Sequence, residues 1–259
     1  MLTRARSIQA RLLPHGLLDV LRQVLLFAIA YYGYRLVRGW IDDPQGATVA
    51  FSNARHLIGI EQSLHVFVEP KVQAWASTKS VIIDSASWIY LNAQSSVTVG
   101  ALVWLYLFRN RSFYFVRNMF VVAMAIALVG YVVLPTAPPR FFPEWGFFDA
   151  VSDFTGVSHD SVTVNSIFNP YAAVPSMHVC FSLMIGVPLA RLCKHRVVRM
   201  AWTLYPLLIV FVIVATGNHF LADAFLGAVT AGLAATAAHW LARARPSTWT
   251  FGQATKASA

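Results

Sequence analysis

The sequence predicts an all-α membrane protein: a polytopic helical bundle of about six transmembrane helices plus an interfacial amphipathic helix, with both termini cytoplasmic. Three observations predict it. Only 12% of the 259 residues are charged and 57% are hydrophobic, about half the charged share of an ordinary soluble domain. The apolar residues come in runs close to the roughly 20 residues that cross a bilayer. The basic residues gather in the links between those runs.

Taken in order, the apolar runs fall at 17–37, 83–108, 117–134, 178–193, 199–216 and 221–241, inside one membrane domain of residues 17–245. The first follows a basic N-terminal stretch, 1–16, and contains Ala28-Ile29-Ala30, which mimics a signal-peptide cleavage site. Asp19, Arg22 and Gln23 interrupt the would-be apolar core, and Tyr31 to Val37 prolong it. A retained first helix is therefore expected. In segment 44–79, Leu57, Ile60, Leu64, Phe67 and Val68 recur at three- and four-residue spacing among Arg55, Glu61, Glu69 and Lys71. That is the pattern of a helix lying on the membrane surface. The fourth and fifth runs are short for a full crossing and are expected to begin in a shallow aqueous cavity. The last stretch, 246–259, reads as a disordered cytoplasmic tail.

Orientation follows from the basic residues that flank the runs. One side carries Arg4, Arg6, Arg11, then Arg109, Arg111, Arg117, then Arg191, Lys194, Arg196, Arg199, and finally Arg243, Arg245 and Lys256: thirteen in all. The other carries six, namely Arg35, Arg38, Arg55, Lys71, Lys79 and Arg140. The richer side is the cytoplasm. A net charge of +9 spread over membrane links in this way offers no groove for nucleic acid. Cys180 and Cys193 fall in one predicted helix, about 20 Å apart, too far for a disulfide.

With this topology three unusual segments meet on the outer face. They are Pro135-Thr136-Ala137-Pro138-Pro139-Arg140, Val174-Pro175-Ser176-Met177-His178, and Thr216-Gly217-Asn218-His219 with Asp223 just beyond. If the last helix begins near Asn218, His219 and Asp223 stand at i and i+4 on one face. A carboxylate there fixes the imidazole tautomer and leaves the other ring nitrogen free to attack. His178 sits at a helix start, where unpaired N–H groups favour an anion, with Ser182 and Gly186 below it on the same face. Arg140 supplies a permanent cationic fork for phosphate oxygens. A second histidine across the phosphorus could protonate the leaving oxygen, so the rate should peak between the two histidine titrations. The set holds a nucleophile, an orienting carboxylate, an acid and an anion clamp, without the carboxylate cluster that magnesium catalysis needs. Zinc held by His178, His219 and Asp223 lacks an evident fourth ligand. A reading of another class, a proton-coupled transporter, would need polar residues continuing through the spans. Gly227, Ala228, Ala231, Gly232 and Ala235 read as a close-packing stripe of the last helix.

The Val174–His178 element with Tyr171 upstream, followed by Gly217-Asn218-His219 and Asp223, resembles the type 2 phosphatidic acid phosphatase superfamily over roughly residues 81–241. The Pro135–Arg140 segment resembles its inositol phosphorylceramide synthase-like (inositolphosphotransferase) branch. The resemblance implies a six-helix core and a phosphohistidine intermediate, with His219 as nucleophile, Asp223 as its partner and His178 as general acid. Ser176 and Arg140 would hold the phosphate, and no metal or cofactor would be needed. The implied substrate is a lipid phosphate or diphosphate, with an alcohol or inositol as acceptor if the enzyme transfers rather than hydrolyses. The implied location is the plasma (inner) membrane, with the site facing away from the cytoplasm. Three cations of the superfamily pattern are replaced here, by Val133, Val212 and Ile213. Asn218, Tyr171 or Lys71 are the candidate replacement donors, and the outer loop 141–170, rich in Phe and Asp, is a candidate substrate lid.

Overall fold

The computed structural model describes residues 16–40, 44–157 and 171–245. Among them the chain forms α1 (Leu17–Trp40), α2 (Pro44–Ser63), α3 (Glu69–Ser77), α4 (Ser80–Phe108) and α5 (Asn110–Val133). Two 3-10 turns, Pro139–Phe141 and Pro143–Trp145, lead to α6 (Ala150–Thr155), and α7 (Met177–Leu192), α8 (Arg196–Ala215) and α9 (Leu221–Ala244) follow. Helices α1, α4, α5, α8 and α9 are long and apolar enough to cross a membrane, and α7 is apolar but has 16 residues. The fifth run, expected short, is a full 20-residue helix, because the basic residues at its start are part of α8. The basic start of the chain, residues 158–170 of the outer loop and the C-terminal tail lie outside the described residues.

Helix α5 occupies the centre, packed against α1, α4, α7 and α9. Its inward face carries Phe113, Val116, Phe120, Ala123, Ala127 and Tyr131, all buried. Its outward face, with Val129, Val132 and Val133, is exposed, as are Leu18, Leu21, Val24 and Leu25 of α1 and Leu207 of α8. A continuous apolar exterior of this kind is untenable in water and suits lipid. The protein is an integral membrane protein.

Polar ties fix α1 to this core at both ends. Near its start, Asp19 accepts hydrogen bonds from Tyr106 (2.9 Å), Tyr114 (2.8 Å) and Gln23 (2.9 Å). Arg117 donates to Gln23 at 2.8 Å and to Asn118, and lies over the Tyr114 ring. Near the end of α1, the Tyr34 and Tyr131 hydroxyls meet at 2.9 Å. The start of α1 is thus level with the α4–α5 link, and its end is level with the exit of α5. Arg117 does not belong with the link cations, since it is inside α5 and 2% exposed. Its pairing partners explain why a full charge is tolerated there. Without it the flanking basic residues still divide twelve against six.

Segment 44–79 forms two helices, α2 and α3, joined through His65 in the left-handed region (φ 58°). The sequence pattern predicts one surface helix. The apolar residues Ile60, Leu64 and Val68 face outward, whereas Glu61 and Glu69 are buried. The faces sort this way because the two carboxylates find backbone N–H donors inside the protein. In α9 the small-residue stripe divides. Gly227 and Ala231 are buried while Gly232 faces open space.

Candidate active site

Backbone hydrogen bonds stitch the three motif segments into one unit. Thr136 N–H donates to the Tyr171 carbonyl (2.8 Å), and Thr136 and Ala172 form a parallel β-bridge. Arg140 N–H donates to Gly217 (2.8 Å), and Ser176 N–H to Asp223 (3.1 Å). The site stands at the end of the bundle reached by the exits of α5 and α8 and the starts of α7 and α9.

Helix α8 closes with Gly217 in the left-handed region (φ 68°), its N–H donating to Val214 and that of Asn218 to Ile213. This is a Schellman stop, which glycine favours because it has no side chain to clash. Space also demands glycine here, since a Cβ would come within 2.8 Å of the Gln73 amide and 3.0 Å of the Phe148 carbonyl. The chain then turns into α9, whose N-cap is Phe220. His219 therefore lies just outside the helix, not on its first face. The Asp223 carboxylate folds back over the helix start to accept Phe220 N–H at 3.0 Å, and the same oxygen stands 3.2 Å from His219 Nδ1. The pair forms through capping geometry rather than through an i, i+4 helical face. Its outcome is the contact that the spacing suggests, with Nδ1 against the carboxylate.

His178 occupies the first turn of α7, after the N-cap Ser176. Its ring centroid lies 5.6 Å from that of His219, at an interplanar angle of 62°. On another side it stacks on Tyr90 of α4, centroids 4.4 Å apart and nearly parallel. The Ser176 hydroxyl is fully buried and has no hydrogen-bond partner among the described residues. Arg140 reaches the same region, its Nη1 donating to Asn218 Oδ1, its Nε 3.6 Å from Asp149 and its guanidinium over the Phe141 ring.

Two candidate phosphate donors are placed differently from expectation. The Asn218 amide donates to the Thr216 carbonyl (3.2 Å) and hydroxyl (3.0 Å), so Asn218 orients Arg140 and has both donors committed. Tyr171 packs against Phe51 and Phe141 in an aromatic cluster. Lys71 is exposed on α3. The first part of the outer loop is tied down, by Gln73 donating to Phe148 (2.9 Å) and Ser87 to Ala150 (3.3 Å). Cys180 and Cys193 are both free. Among the described residues no group of three or more His, Cys, Asp or Glu is arranged to hold a metal ion.

A family model described as PAP2 superfamily matches residues 55–237. The chain belongs to the PAP2 superfamily. Members are phosphatases and phosphotransferases, and the matched stretch contains all three stitched segments and the two buried glutamates of α2 and α3. Comparison with curated proteins and with solved structures found no match.

Val133, Val212 and Ile213 have apolar surroundings. Val133 is exposed to the lipid side, and Val212 and Ile213 are buried in α8. Four further residues shape this PAP2 site: Tyr90 against His178, Asp149 against Arg140, and Glu61 and Glu69 at the start of α9. Glu61 and Glu69 carried a signal, as acids within an otherwise apolar-patterned stretch. Tyr90 and Asp149 carried none, since their roles arise only from tertiary packing.

Proposed function

We propose that the protein is a metal-independent lipid-phosphate phosphatase or phosphotransferase that works through phospho-His219 on the extracytoplasmic face. The observation that carries the reading is the meeting of two imidazoles, 5.6 Å between centroids, one of them bonded to a buried carboxylate. His219 Nε2 attacks phosphorus, and the bond to the leaving alkoxide breaks as His178 gives that oxygen its proton. Water, giving its proton to His178, then attacks the phosphohistidine and frees His219. An alcohol in place of water gives transfer. Arg140 and Ser176 hold the non-bridging oxygens, with Arg140 aimed by Asn218.

Transfer in the manner of an inositol phosphorylceramide synthase is the second reading, and one observation favours it. Among the described residues Arg140 is the cation at the site, and Asp149 already shares its charge. A monoanionic phosphodiester needs less positive charge than a dianionic monoester. The proton-coupled transporter has less support. Arg117 and Gly130, beside the site, are about 20 Å apart along α5, and Phe120, Ala123, Met124 and Ala127 between them are apolar and buried.

Purified protein in chelator should turn over a lipid phosphate or a head-group phosphodiester, and an added alcohol acceptor should capture part of the phosphoryl group. Strict dependence on a divalent cation, or no turnover of either ester class, would reject the reading.

A further inference from the structure

We propose that Glu61 and Glu69 share one proton between their inner oxygens and so fix the first turn of α9, which makes them positioning residues for His219. The proposal rests on the reading of His219 as the nucleophile. Three carboxylates cap three successive N–H groups at this helix start. Asp223 takes Phe220 (3.0 Å), Glu69 Oε1 takes Leu221 (2.9 Å) and Glu61 Oε1 takes Ala222 (2.7 Å). Glu61 comes from α2 and Glu69 from the start of α3, so two interfacial helices clamp the helix on which the nucleophile's partner sits.

A helix N-terminus favours about half a unit of negative charge, and three buried carboxylate charges exceed that. The remaining glutamate oxygens, Glu61 Oε2 and Glu69 Oε2, are buried and accept no hydrogen bond from the described residues, and the same holds for Asp223 Oδ1. Two carboxylates in one dry site do not both ionise. A proton placed between the two Oε2 atoms makes one the donor and the other the acceptor, which satisfies both orphans with one O–H···O bond. Burial and the charge of Glu69 push the Glu61 carboxyl up to about 8, and the titratable groups that face it are Glu69 of α3 and Asp223 of α9.

The sign follows from linkage. A carboxyl raised on folding from 4.5 to about 8 contributes stability that is complete below 4.5 and is lost as pH rises to about 8. Loss of the shared proton leaves two like charges at the start of α9 and loosens the turn that places His219. Glu61→Gln keeps the acceptor for Ala222 and turns an N–H toward Glu69, which reproduces the protonated state at every pH. Glu61→Ala removes the cap.

The test is infrared spectroscopy across pH on the purified protein, combined with steady-state kinetics. The wild type should show the carbonyl band of a buried carboxylic acid that vanishes as pH passes about 8. Glu61→Gln and Glu69→Gln should each remove the band, and Asp223→Asn should keep it. The alkaline limb of kcat should move upward in Glu61→Gln with KM unchanged, while Glu61→Ala should lower kcat about tenfold to a hundredfold. A band that survives either glutamine variant, a wild type without the band, or a Glu61→Gln as impaired as Glu61→Ala would overturn the proposal. A wild type that shows the band and turns over no phosphate ester would sink the proposed function while upholding the shared proton.

Discussion

Replacing His219 by alanine should remove phosphoryl turnover by a factor on the order of 10⁴ or more while leaving the helical bundle intact. The imidazole is 7% exposed and sits outside α9 at its mouth, so its loss leaves a small cavity at the edge and not a defect in the core. Circular dichroism and thermal unfolding should change little. Asp223→Asn is the sharper companion. The amide oxygen still accepts Phe220 N–H and His219 Nδ1–H, so the cap and the imidazole tautomer survive, but the carboxylate beside the ring is gone. Removing the carboxylate from such a pair costs on the order of 10⁴-fold. If the asparagine variant retained full kcat, Asp223 would be a helix cap and nothing more.

Among the described glycines, Gly227→Ala should be the most damaging substitution by alanine. A Cβ at this position would stand 2.3 Å from the Ser176 carbonyl oxygen and 3.4 Å from Val179 Cβ. The Ser176 carbonyl belongs to the backbone junction that starts α7, and a backbone oxygen cannot swing aside as a side chain would. Overpacking of this kind costs about 1–3 kcal/mol, and its direction matters more than its size. The methyl group pushes Ser176 and His178 away from α9 and so away from His219. A displacement near 1 Å in a reacting constellation costs about 10²-fold in rate. The measurement is kcat together with the unfolding temperature. Gly232→Ala, which meets nothing within 4 Å, is the matched control and should behave as the wild type. Equal behaviour of the two variants would show that close approach at Gly227 has no role in the site.

The bundle was legible in the sequence because lipid imposes a simple code, in which a long apolar run is a helix. The six runs map onto α1, α4, α5, α7, α8 and α9 with shifts of a few residues. The meeting of the Pro135–Arg140, Val174–His178 and Thr216–His219 segments was legible too, because topology alone brings every second link to one face. The errors have one physical origin, the pairing of polar groups across the fold. Glu61 and Glu69 read as the polar face of a surface helix, yet they turn inward because the N–H groups of Leu221 and Ala222 await them. Arg117 read as a link cation, yet Gln23 and Asn118 draw it into the bundle. Asn218 read as a phosphate donor, yet Thr216 holds both of its N–H groups. His219 and Asp223 met as their spacing suggested, but through a helix cap. No periodicity encodes such long-range partners.

A lipid phosphate labelled on phosphorus, mixed with the protein in chelator and quenched in alkali during turnover, reads the covalent intermediate directly. A label that survives alkali, is lost in acid, maps to the peptide carrying His219 and is absent from His219→Ala is the predicted result. No bound label during demonstrable turnover, or label on another residue, would contradict the account.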